Sequence, residues 1–132
     1  MQNTYNKQKV ITLHKQNVLM TKKEKNTDLL ITHIIRGIEE VKGQDIEILD
    51  LREIENTVTD YFIICNGTSN TQVNAIVSSV QKIVSKALKE KAWHIEGSEN
   101  SEWILMDYVH VVVHVALPIV ARTFVLESSP SR

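Results

Sequence analysis

The spacing of apolar residues along the chain predicts two long helices, each with one buried face. The first helix is predicted to begin near Thr27, which can cap it, and to end before Gly43. Its apolar residues recur at intervals of four, four and three, at Leu30, Ile34, Ile38 and Val41. The second helix is predicted to open after Thr68 or Ser69 with the same kind of repeat. Gly37 lies inside the first helix, where it can permit close approach of another backbone.

Short apolar segments on either side of the second helix predict a sheet. The clear strands are predicted at 45–51, 61–65, 103–107 and 109–115. The first alternates isoleucines with acids, as a strand with one wet face does. The second is a continuous apolar run, which is typical of a strand covered on both faces. The last two are joined by a tight hairpin or a bend, and a weak strand is predicted near Trp93.

These elements predict an α/β or α+β layered fold, a small mixed sheet flanked by helices. Residues 27–127 form the single predicted domain, with a short last helix over 119–127. Residues 1–26 are polar and weakly periodic, and they are predicted to be a disordered extension in which Met20 is an alternative start. Residues 128–132 are predicted to be a frayed tail.

Charge and cysteine usage exclude several classes of protein. The net charge of the 132 residues is -1, whereas a protein that covers nucleic-acid phosphates needs a clear basic excess. Cys65 is the only cysteine, which excludes an internal disulfide framework and a multi-cysteine zinc site. No apolar run is long enough for a membrane span, and the first twenty residues do not resemble a signal peptide. We therefore expect a cytosolic protein.

The Gly67-Thr-Ser turn is compatible with a nucleotidyltransferase site, but the sequence lacks the paired carboxylates that such a site needs to bind metal ions. A nucleotidyltransferase follows such a turn with paired acids that hold two metal ions. Residues 70–89 contain no acid, and Asp107 stands alone on its strand. A nucleotidyltransferase-like phosphate-ester enzyme that uses the Gly67 loop and Asp107 is kept as the alternative function.

The remaining reactive residues predict no catalytic, cofactor or metal site. His110 and His114 share a strand face but lie about 13 Å apart along it, too far to bind one ion together. Cys65 ends an apolar strand and has no base nearby in the sequence, so a buried, inert thiol is predicted.

The segment around Trp103 carries large apolar groups on both faces of its strand. Trp103 and Asp107 point to one face, and Tyr108 points to the other, if the strand is straight. One interpretation is a central strand with helices on both faces. The other is an anchor for a partner protein, because interface energy concentrates at aromatic residues with a polar rim.

The chain resembles the ribosomal silencing factor family, also called the Iojap family, over roughly residues 27–117. The matching pieces are Lys42-Gly-Gln-Asp-Ile46, Leu49-Asp-Leu51, Thr59-Asp-Tyr-Phe-Ile-Ile-Cys65, Gly67-Thr-Ser-Asn70, Val73, His94-Ile-Glu-Gly97, Trp103-Ile-Leu-Met-Asp-Tyr108 and Val111-Val-Val-His-Val115. The resemblance implies a fold related to nucleotidyltransferases without their catalytic acids. It also implies a non-enzymatic repressor of translation.

By this resemblance the partner is the large ribosomal subunit, bound through ribosomal protein L-fourteen on the face that meets the small subunit. A factor bound there blocks subunit joining when nutrients run short. Trp103 matches the family's interface tryptophan, and Asp107 and Tyr108 fall in the same motif. Their implied roles are an aromatic anchor, an acceptor for a basic side chain and a second apolar contact. Self-association through the Trp103 strand is a further possibility.

Two segments depart from the family pattern. Val109-His110 stands where the family often has Gly-Asp, which predicts an altered turn. Residues 116–132 also depart from the usual ending, so the last predicted helix is the least defined part of the fold.

Overall fold

One mixed sheet carries two helices in the computed structural model, which describes residues 21–118. The elements in chain order are α1 (Lys22–Glu40), β1 (Gln44–Asp50), β2 (Tyr61–Asn66), α2 (Asn70–Leu88), β3 (His94–Gly97), β4 (Trp103–Asp107) and β5 (Val111–Ala116). The strand order is β1-β2-β5-β4-β3. The β2–β5 pair is parallel, and all other neighbours are antiparallel. The predicted layered fold with a mixed sheet is confirmed, and the weak strand near Trp93 is β3.

Helix α1 begins earlier than the sequence analysis predicted, because Thr21 and not Thr27 is its cap. The Thr21 hydroxyl accepts the Glu24 N–H at 3.1 Å, and the Glu24 carboxylate accepts the Thr21 N–H at 2.8 Å. This reciprocal pair is a capping box, and it satisfies two backbone donors that the first turn leaves open. Thr27 lies inside the helix, where its hydroxyl donates to the Lys23 carbonyl at 2.9 Å. Residues 22–26 of the predicted disordered extension form the first turn of α1. Residues 1–20 of that extension, the predicted last helix over 119–127 and the predicted tail over 128–132 lie outside the described residues.

The two helices touch at Gly37, as its position inside α1 predicted. A Cβ atom on Gly37 would lie 2.8 Å from the Val80 Cα on α2, closer than real Cβ contacts come. The Ser79 hydroxyl donates to the Gly37 carbonyl at 2.8 Å across the same contact. The Gln72 side chain donates to two carbonyls that follow α1, both at 3.1 Å. The helices are therefore joined by backbone proximity and hydrogen bonds as well as by apolar packing.

Both helices cover the same face of the sheet. The strand residues that join their core alternate along β2, β4 and β5, and they are Tyr61, Ile63, Cys65, Ile104, Met106, Val111, Val113 and Val115. The residues between them point to the opposite side, because successive side chains of a strand alternate. Within residues 21–118 no helix lies on that side. Neither of these two helices is long and apolar enough to cross a membrane.

We predict that Gly37→Ala destabilises the protein by about 1–2 kcal/mol, because the added methyl group forces the helices apart. Alanine by itself would stabilise an isolated helix by about 1 kcal/mol relative to glycine, so the sign of the effect is diagnostic. Urea unfolding measures the change. The exposed Arg36→Ala on the same helix is the control and should stay within about 0.5 kcal/mol. A gain in stability for Gly37→Ala would contradict the close contact.

Candidate functional site

The side of the sheet opposite the helices, called the open face below, combines residues of all five strands. Strand register sets its membership, because paired residues share a face. One row of neighbours across the sheet is Leu49, Phe62, Val112, Asp107 and His94, and the next is Glu47, Ile64, His114, Leu105 and Glu96. Asn66, Ala116 and Trp103 form a third row. The open face is therefore apolar in the middle and polar at its edges.

An aromatic cluster lies at the centre of the open face. His114 is only 4% exposed, although within residues 21–118 both helices lie on the other side of the sheet. Its ring stacks on Phe62, with centroids 6.3 Å apart, and meets the tilted Trp103 ring at the same distance. Burial lowers the pKa of His114 below its usual range, because desolvation penalises the charged imidazolium. At neutral pH a neutral, buried imidazole therefore packs against both the Phe62 and Trp103 rings.

The charged side chains that the five strands place on the open face are all acidic. Its acids are Glu47 near one edge, Glu96 at the other edge and Asp107 at the end of β4. None of the five strands within residues 21–118 contains Lys or Arg. Such a surface complements a partner that is both apolar and basic, and it repels phosphate groups.

Helix α2 holds the loop that leads into Trp103. The Asn70 side chain donates to the Asn100 carbonyl, and the Asn74 side chain donates to the Ser101 hydroxyl at 2.9 Å. Both asparagines lie in the first turns of α2. Trp103 opens β4 directly after this loop, and its side chain is partly exposed on the open face. The tryptophan is therefore anchored from the helix layer as well as from the sheet.

A strained turn follows Asp107 at the other end of β4. The His110 N–H donates to the Tyr108 carbonyl at 3.0 Å, and Val109 between them has φ 76°. This is the geometry of the rare γ-turn with positive φ, which is costly for a β-branched residue. The Asp107 carboxylate accepts the Val109 N–H at 2.7 Å and so stabilises the turn. The hairpin interpretation of this connection is confirmed, and valine occupies a position whose backbone favours glycine.

The structure brings two of the three proposed contact residues to one face. Trp103 and Asp107 both lie on the open face, at opposite ends of β4 and about 13 Å apart at the usual rise per residue. Tyr108 lies on the helix side and is 6% exposed. Burial raises the pKa of its hydroxyl to about 12, with a contribution from the Glu90 charge. Tyr108 therefore packs beneath the helices and does not present its ring beside Trp103.

The alternative enzyme would need Gly67 and Asp107 together, and the sheet keeps them apart. Asp107 is level with Phe62 at the start of β2, through its pairing with Val112, whereas Gly67 follows the end of β2. Five residues of strand separate these levels, roughly 16 Å. Glu47 lies on β1, three strands away from Asp107. No pair of carboxylates converges on the Gly67 turn in the described part of the chain.

The other reactive side chains have structural surroundings. Cys65 is fully buried, and burial raises the pKa of its thiol to about 12. His94 and Glu96 form a pair at 3.0 Å on β3. Among residues 21–118 no three His, Cys, Asp or Glu side chains come close enough to hold a metal ion.

Sequence reasoning did not identify the residues that surround Trp103 on the open face. Phe62, Ile64 and Val112 lie in runs that are apolar at every position, so the strands alone do not reveal two different faces. Leu49 lies in a strand that the sequence predicts to have one solvent-exposed face. It is an apolar residue on that face, 41% exposed beside Phe62. Only the pairing of strands distant in sequence assembles these residues into one surface.

Comparison with known proteins gives one consistent family. Residues 23–128 match the family described as "Ribosomal silencing factor during starvation". The "Ribosomal silencing factor RsfS" of Chromobacterium violaceum is 39% identical over 97 residues, which span 71% of this chain and 75% of that protein. The "Mitochondrial assembly of ribosomal large subunit protein 1" of Mus musculus is 33% identical over 75 residues, 55% of this chain and 33% of that protein. A crystal structure of a Chromobacterium violaceum protein superposes with a TM-score of 0.68 at 35% identity, covering 75% of this chain and 81% of that one.

We predict that Val109→Gly stabilises the protein by about 1 kcal/mol, because glycine adopts positive φ without steric cost. Thermal and urea unfolding measure the gain. Val58→Gly is the matched control, since Val58 is a 76% exposed loop residue without positive φ. The control should lose up to about 1 kcal/mol through the greater freedom of the unfolded chain. Equal losses in both variants would rule out strain at Val109.

Stability should fall as the pH drops below the ordinary histidine value of 6.5, because His114 is protonated in the unfolded chain before it is protonated in the fold. The contribution of the neutral His114 to the free energy of unfolding is complete above pH 6.5. It is lost as the pH falls toward the lowered pKa of the folded state, at up to about 1.4 kcal/mol per pH unit. Urea unfolding across a pH series measures this slope. His114→Gln removes the titrating group and serves as the reference. Parallel pH curves for the two proteins would contradict a buried neutral imidazole.

Proposed function

Since this chain belongs to the ribosomal silencing factor family, we propose that its open face binds ribosomal protein L-fourteen on the large ribosomal subunit. The observation that carries the proposal is the composition of the open face. It joins an aromatic and aliphatic centre to three acids, and its strands carry no Lys or Arg. A basic ribosomal protein complements such a surface, whereas ribosomal RNA would be repelled by it.

Trp103 supplies the aromatic anchor in this proposal. Its ring is partly exposed at one end of the open face and is flanked on that face by the buried His114. Tryptophans in such supported positions commonly dominate the energy of an interface. Asp107 supplies an acceptor for a basic side chain, since a carboxylate that accepts the Val109 N–H retains further lone pairs. Tyr108 contributes from behind, by holding β4 against the helices.

The effect on translation would be steric exclusion of the small subunit. The family is regulatory and not enzymatic, and the arrangement of acids described above agrees with that. A standard interface of about 800 Å² per partner is enough to occupy a shared docking surface. Repression then depends on concentration and affinity, because silencing factor and small subunit compete for one face. A cytosolic location stays a prediction.

Binding is tested by co-sedimentation of the purified protein with large subunits. Trp103→Ala should cost about 2 kcal/mol or more of binding free energy, since it removes the anchor. Leu29→Ala is the matched control, because Leu29 is 48% exposed on α1, on the opposite side of the sheet. We expect the control to pellet like the wild type. Equal pelleting of Trp103→Ala would exclude this anchor, and absence of the wild type from the pellet would exclude the ribosomal partner.

The proposed outcome of binding is tested separately, by mixing large and small subunits and measuring joined ribosomes on a sucrose gradient. The wild type should lower the joined fraction as its concentration rises, and Trp103→Ala should need a higher concentration for the same effect. Added in excess, free ribosomal protein L-fourteen should restore joining, because it competes for the open face. Unchanged joining with the wild type bound would refute steric exclusion while leaving the binding proposal standing.

A further inference from the structure

The exposed side of α2 carries lysines in its second half and at its end. Lys82, Lys86 and Lys89 follow one another at spacings of four and three residues, so they lie along one side of the helix. Lys91 comes two residues later, and these four residues are called the lysine row below. All four are exposed, and none forms an ion pair within residues 21–118. The lysine row is therefore a positive surface on a chain whose net charge is -1.

A cleft beside α2 joins the two ends of the lysine row. It has a volume of about 530 Å³, and both Lys82 and Lys91 line it. The uncharged polar residues of its lining carry hydroxyl or amide donors, and they are Ser78, Gln81 and Ser85. No acid among residues 21–118 lines this cleft, because Glu90 instead lines a second cleft between the two helices. Lysines and neutral donors without a competing carboxylate favour the binding of phosphate oxygens.

An exposed aromatic side chain follows the lysine row. Trp93 comes two residues after Lys91 and is 77% exposed, more than any other large apolar residue in the described part of the chain. Its backbone N–H donates to the Asp107 carbonyl at 2.7 Å, which holds this residue at the edge of the sheet. Aromatic rings beside positive charges are typical of sites for single-stranded nucleic acid, because bases stack on the ring while the cations contact the phosphates.

We infer that the lysine row and Trp93 bind single-stranded RNA, with phosphates along α2 and in the cleft and with a base stacked on Trp93. The choice of RNA over DNA rests on the proposed function, since a ribosomal subunit presents RNA. The choice of RNA over an acidic protein rests on composition. Lysine is depleted in protein interfaces and is a principal contact to phosphate, and α2 exposes no large apolar side chain as a protein anchor.

The RNA surface and the open face lie on different sides of the molecule. Helix α2 packs on the side of the sheet opposite the open face, and the lysine row lies on the exposed side of that helix. The acids of the open face offset these lysines in the net charge without lying beside them. Phosphate and stacking contacts do not read the base sequence, so the binding is nonspecific and sensitive to salt.

The test is fluorescence anisotropy of a labelled oligouridine of about twelve nucleotides, titrated with the full chain without ribosomes. The logarithm of the association constant should fall linearly with the logarithm of the salt concentration, with a slope of about -3, because each of four phosphate contacts contributes about -0.7. Lys86→Gln should weaken binding about tenfold at about 50 mM salt and make the slope shallower by about 0.7. Trp93→Ala should weaken binding about tenfold without changing the slope, because it removes stacking and no charge.

Lys42→Gln provides the matched control, since it makes the same charge change on an exposed lysine near the start of α2, where the Gln72 side chain donates to the Lys42 carbonyl. Its affinity and slope should equal those of the wild type. Circular dichroism verifies that each variant is folded.

Three results would overturn the inference. They are a wild type that does not bind oligouridine at about 50 mM salt, equal losses for Lys86→Gln and Lys42→Gln, and tighter binding to an oligoglutamate of the same charge. Failure here with intact co-sedimentation would remove the RNA surface alone. Lost co-sedimentation with intact oligouridine binding would instead remove the proposed ribosomal partner.

Discussion

The contact between the two helices is the constraint on which the rest of the structure depends. Gly37 has no side chain to separate α1 from the backbone at Val80, so two helices of 19 residues lie side by side on one face of the sheet. A wider spacing would leave gaps above the central strands, and the core would lose contacts that close packing supplies. By gathering both helices on one side, this contact also leaves the opposite side of the sheet without a helix within residues 21–118.

A sheet face that no helix of residues 21–118 covers must combine enough apolar area to bind a partner with enough charge to avoid unspecific association. The open face meets both demands through the position of its charges. Phe62, His114 and Trp103 form a central aromatic cluster, while Glu47 and Glu96 lie toward opposite edges. Acids at the margin oppose self-stacking of the faces and favour a basic partner.

The sequence predicted most elements because their periodicity is local. The repeat at Leu30 and its successors predicted α1, but its start was missed because the cap at Thr21 lies in a polar segment without apolar periodicity. Alternation along β4 placed Trp103 and Asp107 on one face and Tyr108 on the other. It did not tell which face the helices cover, because both faces are apolar. That choice depends on packing between the helices and strand residues far apart in the chain, which alternation within one strand does not reveal.

The candidate site was harder to predict than the fold for a related reason. Its anchor was predicted by resemblance, since Trp103 lies in a family motif that is recognisable within one short segment. Its surroundings were not, because Leu49, Phe62 and Val112 come from three strands whose register depends on long-range pairing. The departure from Gly-Asp at Val109-His110 predicted an altered turn. The positive φ angle of Val109 could not be predicted, because it depends on the folded turn.

The position of Cys65 gives the protein an intrinsic reporter of its own opening. It is the chain's single cysteine, and its side chain is fully enclosed between β2 and the helix layer. A thiol reagent can reach the sulfur only after the helices separate from the sheet, so the labelling rate follows the population of opened molecules. The energetics of the core can thus be followed by mass spectrometry in dilute mixtures, ribosome-bound samples included, without any engineered label.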